Sequence, residues 1–130
     1  MTFRRRAALF GVMLSLGCTD ATAPASQVNG TWTHDFQIPG NGFQMTLSTQ
    51  GNLVSGGGWW VGEACCGGPV SVTGVVEDGV VKVDMTFSAN GAVIPPFAQH
   101  FEGRVLRFNT LLGTLTATGQ SIPYSYRRMR

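Results

Sequence analysis

The sequence predicts an all-β protein: an eight-stranded antiparallel up-and-down β-barrel, with a two-sheet β-sandwich as the alternative. Three observations carry that expectation. Apolar and polar residues alternate with a period of two through most segments after Gly30, as half-buried strands require. Turn residues separate those segments at short intervals, and no stretch after Leu16 has helical periodicity. The composition agrees, since 43% of the 130 residues are hydrophobic, only 12% are charged and 18 are Gly. That is enough chain for one domain, and it is too apolar for disorder.

The first strand, Gly30 to Ile38, puts Trp32, His34, Phe36 and Ile38 on one face and Thr31, Thr33, Asp35 and Gln37 on the other. The second, Phe43 to Thr49, turns Phe43, Met45 and Leu47 inward. A tight Gln50-Gly51-Asn52 turn leads to the third, Leu53 to Trp60, whose Gly56-Gly57-Gly58 signals a bend or bulge. The fourth, Val70 to Glu77, and the fifth, Val80 to Phe87, flank the hairpin signal Asp78-Gly79. The sixth, Phe97 to Val105, sets Phe97, Gln99, Phe101, Gly103 and Val105 inward. The seventh runs from Leu111 to Thr118 and the eighth from Ile122 to Arg128, with Pro123 placed where no ladder hydrogen bond is donated.

Loop lengths favour the barrel over the sandwich. Gln50 to Asn52, Asp78-Gly79 and Leu106 to Thr110 alternate with the longer Pro39 to Gly42, Val61 to Pro69 and Ser88 to Pro96. In a meander, alternate loops share an end, so one rim is closed by tight turns and the other is open. Gly119 to Ser121 is short yet belongs to the open rim. Closure also removes exposed strand edges, and eight strands leave an interior that side chains can just fill.

The N-terminus gives the cellular address. Met1 to Arg6 is basic, and Ala7 to Leu16 is an apolar run of signal-peptide length, too short for a bilayer span of about 20 residues. The run ends Leu14-Ser15-Leu16-Gly17-Cys18, which resembles the lipobox of bacterial lipoproteins, with Ser15 where that family usually has Leu. The resemblance implies a signal peptide over 1–17 and acylation of Cys18; residues 18–27, small, polar and aperiodic, read as a flexible tether, and the strand pattern puts the barrel domain over 28–130. The resemblance also implies a membrane partner through the acyl chains. The expected location is the cell envelope, as an outer-membrane lipoprotein facing the periplasm or the cell surface. An ordinary secretory signal with an unrelated cysteine is the alternative. In both cases the protein is exported.

Once Arg4, Arg5 and Arg6 are removed, six basic residues face seven acidic ones, so a basic surface for nucleic acid is not indicated and no nucleic-acid partner is expected. Cys65 and Cys66 then remain in an oxidising compartment, where they form a vicinal disulfide or stay as free or intermolecular thiols. A zinc site would need more ligands at wider spacing, so no metal is expected. Asp35, Glu77, Asp84 and Glu102 are scattered on outward positions with no inward pair for acid–base work. Neither a catalytic residue nor a cofactor is expected, and the chain does not read as an enzyme.

Gly30-Thr31-Trp32 opening the first strand resembles the Gly-x-Trp start of lipocalins and the wider calycin group. The resemblance implies that Trp32 plugs the closed end and that an Arg near the C-terminus, Arg127 or Arg128, packs over it. The domain is shorter than most lipocalins, shows no C-terminal helix, and has Phe108-Asn109-Thr110 where that family carries Thr-Asp-Tyr. Two functions follow from a barrel of this kind. One is binding of a small apolar ligand by His34, Trp59 or Trp60, Phe97, Gln99 and Tyr124. The other is an envelope interaction or inhibitor module with a solid core and a binding rim of loops.

Overall fold

The computed structural model describes residues 24–35, 42–62, 67–88 and 97–129. Within them a closed barrel runs in sequence order through β1 (Gly30–Asp35), β2 (Gly42–Gln50), β3 (Leu53–Val61), β4 (Gly67–Glu77), β5 (Val80–Phe87), β6 (Phe97–Leu106), β7 (Thr110–Ala117) and β8 (Gln120–Arg128). Each strand pairs antiparallel with the next, and β1 closes on β8. A single closed wall rules out the sandwich. The expected end of the first strand, Phe36 to Ile38, lies outside the described residues, as do Cys18, Cys65 and Cys66.

The period-two pattern sets the faces. Trp32, Met45, Leu47, Val72, Val83, Met85, Phe101 and Leu111 point inward and are buried in one core, while the residues between them face out. Two boundaries move by more than one residue. β4 starts at Gly67 because Gly67, Gly68 and Pro69 continue the ladder against Val61, Trp60 and Trp59. β7 and β8 meet at a tighter turn than expected, with Thr118 and Gly119 both at positive φ (50° and 76°), the backbone that two-residue hairpins favour.

The triple glycine makes no bulge, because β2 and β3 stay in one-to-one register from Gly42↔Val61 to Gln50↔Leu53. Gly56 and Gly58 face inward, between Val54 and Trp60. A Cβ at Gly58 would lie 1.8 Å from the Gln44 carbonyl oxygen, and one at Gly56 would lie 2.1 Å from that of Thr46. Neighbouring backbone comes so near here that no side chain fits.

The closed end carries the turns Gly51–Asn52, Asp78–Gly79 and Arg107–Asn109 together with both ends of the barrel chain. Trp32, 0% exposed, forms its floor and donates from Nε1 to the Val28 carbonyl at 2.9 Å. Ala25–Val28 is a 3₁₀ turn that lies against this end and buries Val28. The tether expected over 18–27 is therefore folded onto the barrel in its last three residues, because Arg128 holds them there. The Arg128 guanidinium stands 4.3 Å above the Trp32 ring. It donates to the carbonyls of Gln27, Asn29 and Phe108, the last at 2.6 Å from Nε. Gly30 has a φ of +136°, and a Cβ there would come within 2.5 Å of Arg128 Nη1. Gly-x-Trp and Arg128 are thus one packing unit. Arg127 points outward, in register with Thr33 and Thr110, and takes no part in covering Trp32.

The β1–β8 seam is the short ladder, with the pairs Trp32↔Arg128 and Thr33↔Arg127 among the described residues. Arg128 N donates to Asn109 O and Met129 N to Thr31 O, both at 2.8 Å, so odd-numbered residues of β8 turn their backbone groups toward β1. Pro123, the residue without an N–H, is odd-numbered and faces that side, where no ladder donor is needed. Above the two pairs a side chain takes over: His34 Nδ1 donates to the Ser125 carbonyl at 2.8 Å.

Replacing Arg128 by Ala should lower stability by about 2–4 kcal/mol, since a cation–π contact and three charge-assisted hydrogen bonds are lost together. Arg128→Lys should recover only part of that, because an ammonium cannot fork to three carbonyls. Urea unfolding of the three proteins measures both differences.

Candidate functional site

The lower half of the barrel is solid and the upper half is not. Trp32, Met45, Leu47, Met85, Phe101 and Leu111, all nearly or wholly shielded from water, fill the closed end. Toward the open end the inward positions become aromatic. Phe43 and Trp60 sit opposite each other across β2 and β3, as do Phe87 and Phe97 across β5 and β6. The inward position of β4 between these pairs is Gly68, which leaves room for Trp60 to reach across to β5. Its ring meets Phe87 and Phe97 edge-on at 6.2 and 5.7 Å, and its Nε1 donates to Ser88 O at 3.2 Å.

These rings form a belt around the mouth. Phe87 and Phe97 stack at 4.8 Å and Phe43 tilts against Phe87 at 5.8 Å. Tyr126 follows Phe43 at 5.5 Å, Tyr124 follows Tyr126 at 5.2 Å, and His34 stacks on Tyr124 at 4.0 Å. Inside the belt lies a cavity of about 330 Å³ lined by Phe43, Trp60, Phe87, Phe97, Gln99, Leu115, Ile122, Tyr124 and Tyr126. Small-molecule sites run from about 300 to 1,000 Å³, so this one is small. Two larger hollows, about 480 and 520 Å³, are shallow grooves on the outer surface and have no aromatic wall.

The cavity carries no charge. Burial pushes the Tyr124 hydroxyl up to about 12 and raises Tyr126 as well, with Tyr124 adding to the effect on Tyr126. Both phenols therefore stay protonated at physiological pH. Tyr126 donates to the Met85 thioether at 3.8 Å, a weak acceptor. The polar groups on the lining are Gln99, the two hydroxyls and the indole N–H already given to Ser88.

Of the ligand-binding residues expected from sequence, Trp60, Phe97, Gln99 and Tyr124 come together on this lining. Trp59 and His34 do not. Trp59 is outward by strand parity and 47% exposed. His34 stands behind Tyr124 and is used in the seam. Phe43, Phe87, Leu115, Ile122 and Tyr126 were not singled out. Their shared signal is inward strand parity, with Phe43 and Phe87 also next to the longer connections and Leu115 and Ile122 a cross-strand pair near the β7–β8 turn.

Outside the barrel, cross-strand neighbours Asp84 and His100 pair at 2.7 Å through Nδ1, and His100 Nε2 meets Glu102 at 3.0 Å. The Glu102 and Asp84 carboxylates hold His100 above the usual imidazole value. No group of three His, Cys, Asp or Glu suited to a metal ion exists among the described residues.

No family model matches the chain, and neither a curated protein nor a solved structure matches it significantly. The class that can be stated is therefore architectural: a closed, eight-stranded antiparallel barrel, consistent with a lipocalin-like one, with a solid base and a small aromatic cavity at its mouth.

The His100 cluster has a defined pH signature. A pKa raised on folding adds stability that is fully present below about 6.5 and is lost as pH rises through the higher folded value. Because the group is largely exposed, the effect should stay below about 1 kcal/mol. His100→Gln should flatten that part of the stability profile, as urea midpoints between pH 5 and about 8 will report.

Proposed function

We propose that the protein is an exported, lipid-anchored binding protein of the cell envelope whose barrel mouth takes a small, uncharged, largely apolar ligand. The observation that carries this reading is the aromatic-walled cavity of about 330 Å³ beneath the long-loop rim. It is roughly twice a cavity of about 150 Å³, which holds one benzene, so the occupant is of one- or two-ring size. Ionised ligands are disfavoured, because no lining side chain offers a counter-charge and burying an unpaired ion is costly. Gln99 supplies the orienting hydrogen bond.

The lipocalin-like features support the same reading. Arg128 covers Trp32 at the closed end, which leaves the opposite end for the ligand. The anchor rests on Cys18 and the apolar run before it. A second reading, capture of an envelope protein by the rim, is favoured by Trp59 and Val61. Both are exposed beside the connection formed by residues 62–66.

A neutral fluorescent naphthylamine should bind the full chain with quenching of tryptophan emission. Ile122→Trp, which fills the mouth without touching the solid base, should weaken that binding at least tenfold. Unchanged affinity would remove the cavity from consideration. Shortening residues 62–66 should spare probe binding but abolish partner capture if the second reading holds. Separately, Cys18→Ala should abolish incorporation of labelled palmitate.

A further inference from the structure

The closed end of the barrel has more exposed apolar surface than a floor requires. Leu53 and Phe108, at 63% and 69% exposure, project from two of its turns, and Leu106 and Met129 are exposed beside them. The turn that carries Phe108 is also strained. Arg107 and Phe108 both adopt positive φ (50° and 64°), a backbone that Asn-Gly would take without cost, and Asn109 N closes the turn on Leu106 O at 3.2 Å. Bulky residues there cost about 1–3 kcal/mol each. The tight turn requires that backbone and Arg128 uses its Phe108 carbonyl, but nothing in the packing of the barrel requires Arg and Phe side chains there.

Charge at this end is mainly basic. Arg104, Arg107 and Arg128 stand here with Lys82, against Glu77, which pairs with Lys82 at 3.3 Å, and Asp78. The start of the described chain fixes the distance to any anchor. Pro24 leads into the 3₁₀ turn on the closed end, only six residues after Cys18. Six residues span about 20 Å at full stretch. An acylated Cys18 would therefore hold this end, with its apolar tips and arginines, against the leaflet.

We propose that the closed end is a membrane-docking face. The strained Arg107-Phe108 turn inserts at the headgroup level of an anionic phospholipid surface, with Leu53, Leu106 and Met129 beside it. This is independent of what the cavity binds. It makes the domain a seated one, with its mouth directed away from the lipid.

The test uses the full chain carrying Cys18→Ser, so that no acyl group contributes, and sedimentation with vesicles. One set is phosphatidylcholine and the other an equal mixture of phosphatidylcholine and phosphatidylglycerol. The double variant Arg107→Asn, Phe108→Gly relieves the turn, so its melting temperature should rise. Its partition onto the mixed vesicles should nevertheless fall at least fivefold, since one arginine near an anionic surface is worth about that factor. Loss of binding with a gain in stability cannot come from misfolding. Trp59→Ser, which removes an exposed ring at the opposite end, should partition like the parent. A double variant that stays within twofold of the parent would overturn the proposal, and so would equal binding of the parent to both vesicle types.

Discussion

The structure depends on one guanidinium. Arg128 is the last residue of β8, yet its donors reach the carbonyls of Gln27 and Asn29 before β1 and of Phe108 in the β6–β7 turn, while its plane covers Trp32. Those carbonyls lie beyond the ends of ladders and would otherwise turn to water. A planar fork with five donors satisfies several diverging acceptors at once, which no other side chain does. Among the described residues the seam it guards has two register pairs, fewer than the other ladders have. A side chain therefore completes what the backbone ladder leaves unfinished, and Gly30 is glycine because the guanidinium occupies the space of its side chain.

Most of the fold was legible in the sequence because a barrel wall needs only a period of two. Val70, Val72 and Val76, or Val81, Val83 and Met85, could be assigned to the interior from spacing alone, and so they lie. What spacing could not show was how neighbouring backbone crowds the inner face at Gly56 and Gly58. The alternation of Trp59 and Trp60 guaranteed that one ring faced in, and only the register with Phe43 decided which. The same limit applied to Arg127 and Arg128, where a one-residue difference reverses the face. The 3₁₀ turn of Ala25–Val28 was hidden because it has no periodicity of its own and is ordered by contacts a hundred residues away.

The cavity follows from how the aromatic residues are distributed. At the base, Met45, Met85, Leu47 and Leu111 conform around the Trp32 and Phe101 rings and bury them completely. At the mouth, rigid rings contact edge to face at about 5–6 Å, which holds them as a frame rather than a plug. Gly68 contributes by having no side chain where Trp60 must pass. A single wall thus has a sealed half and a receptive half, separated by a change of residue type and not by any change of backbone.

The two-pair seam also has a consequence for the order of events when the chain folds. Seven hairpins can zip from local turns, each needing only a short loop closed. The eighth junction joins positions 99 apart, Asn29 and Arg128, and gains two register pairs among the described residues in return. Sealing of the cylinder is consequently the slow and final act. Until β8 has arrived, the indole of β1 lacks the guanidinium that covers it.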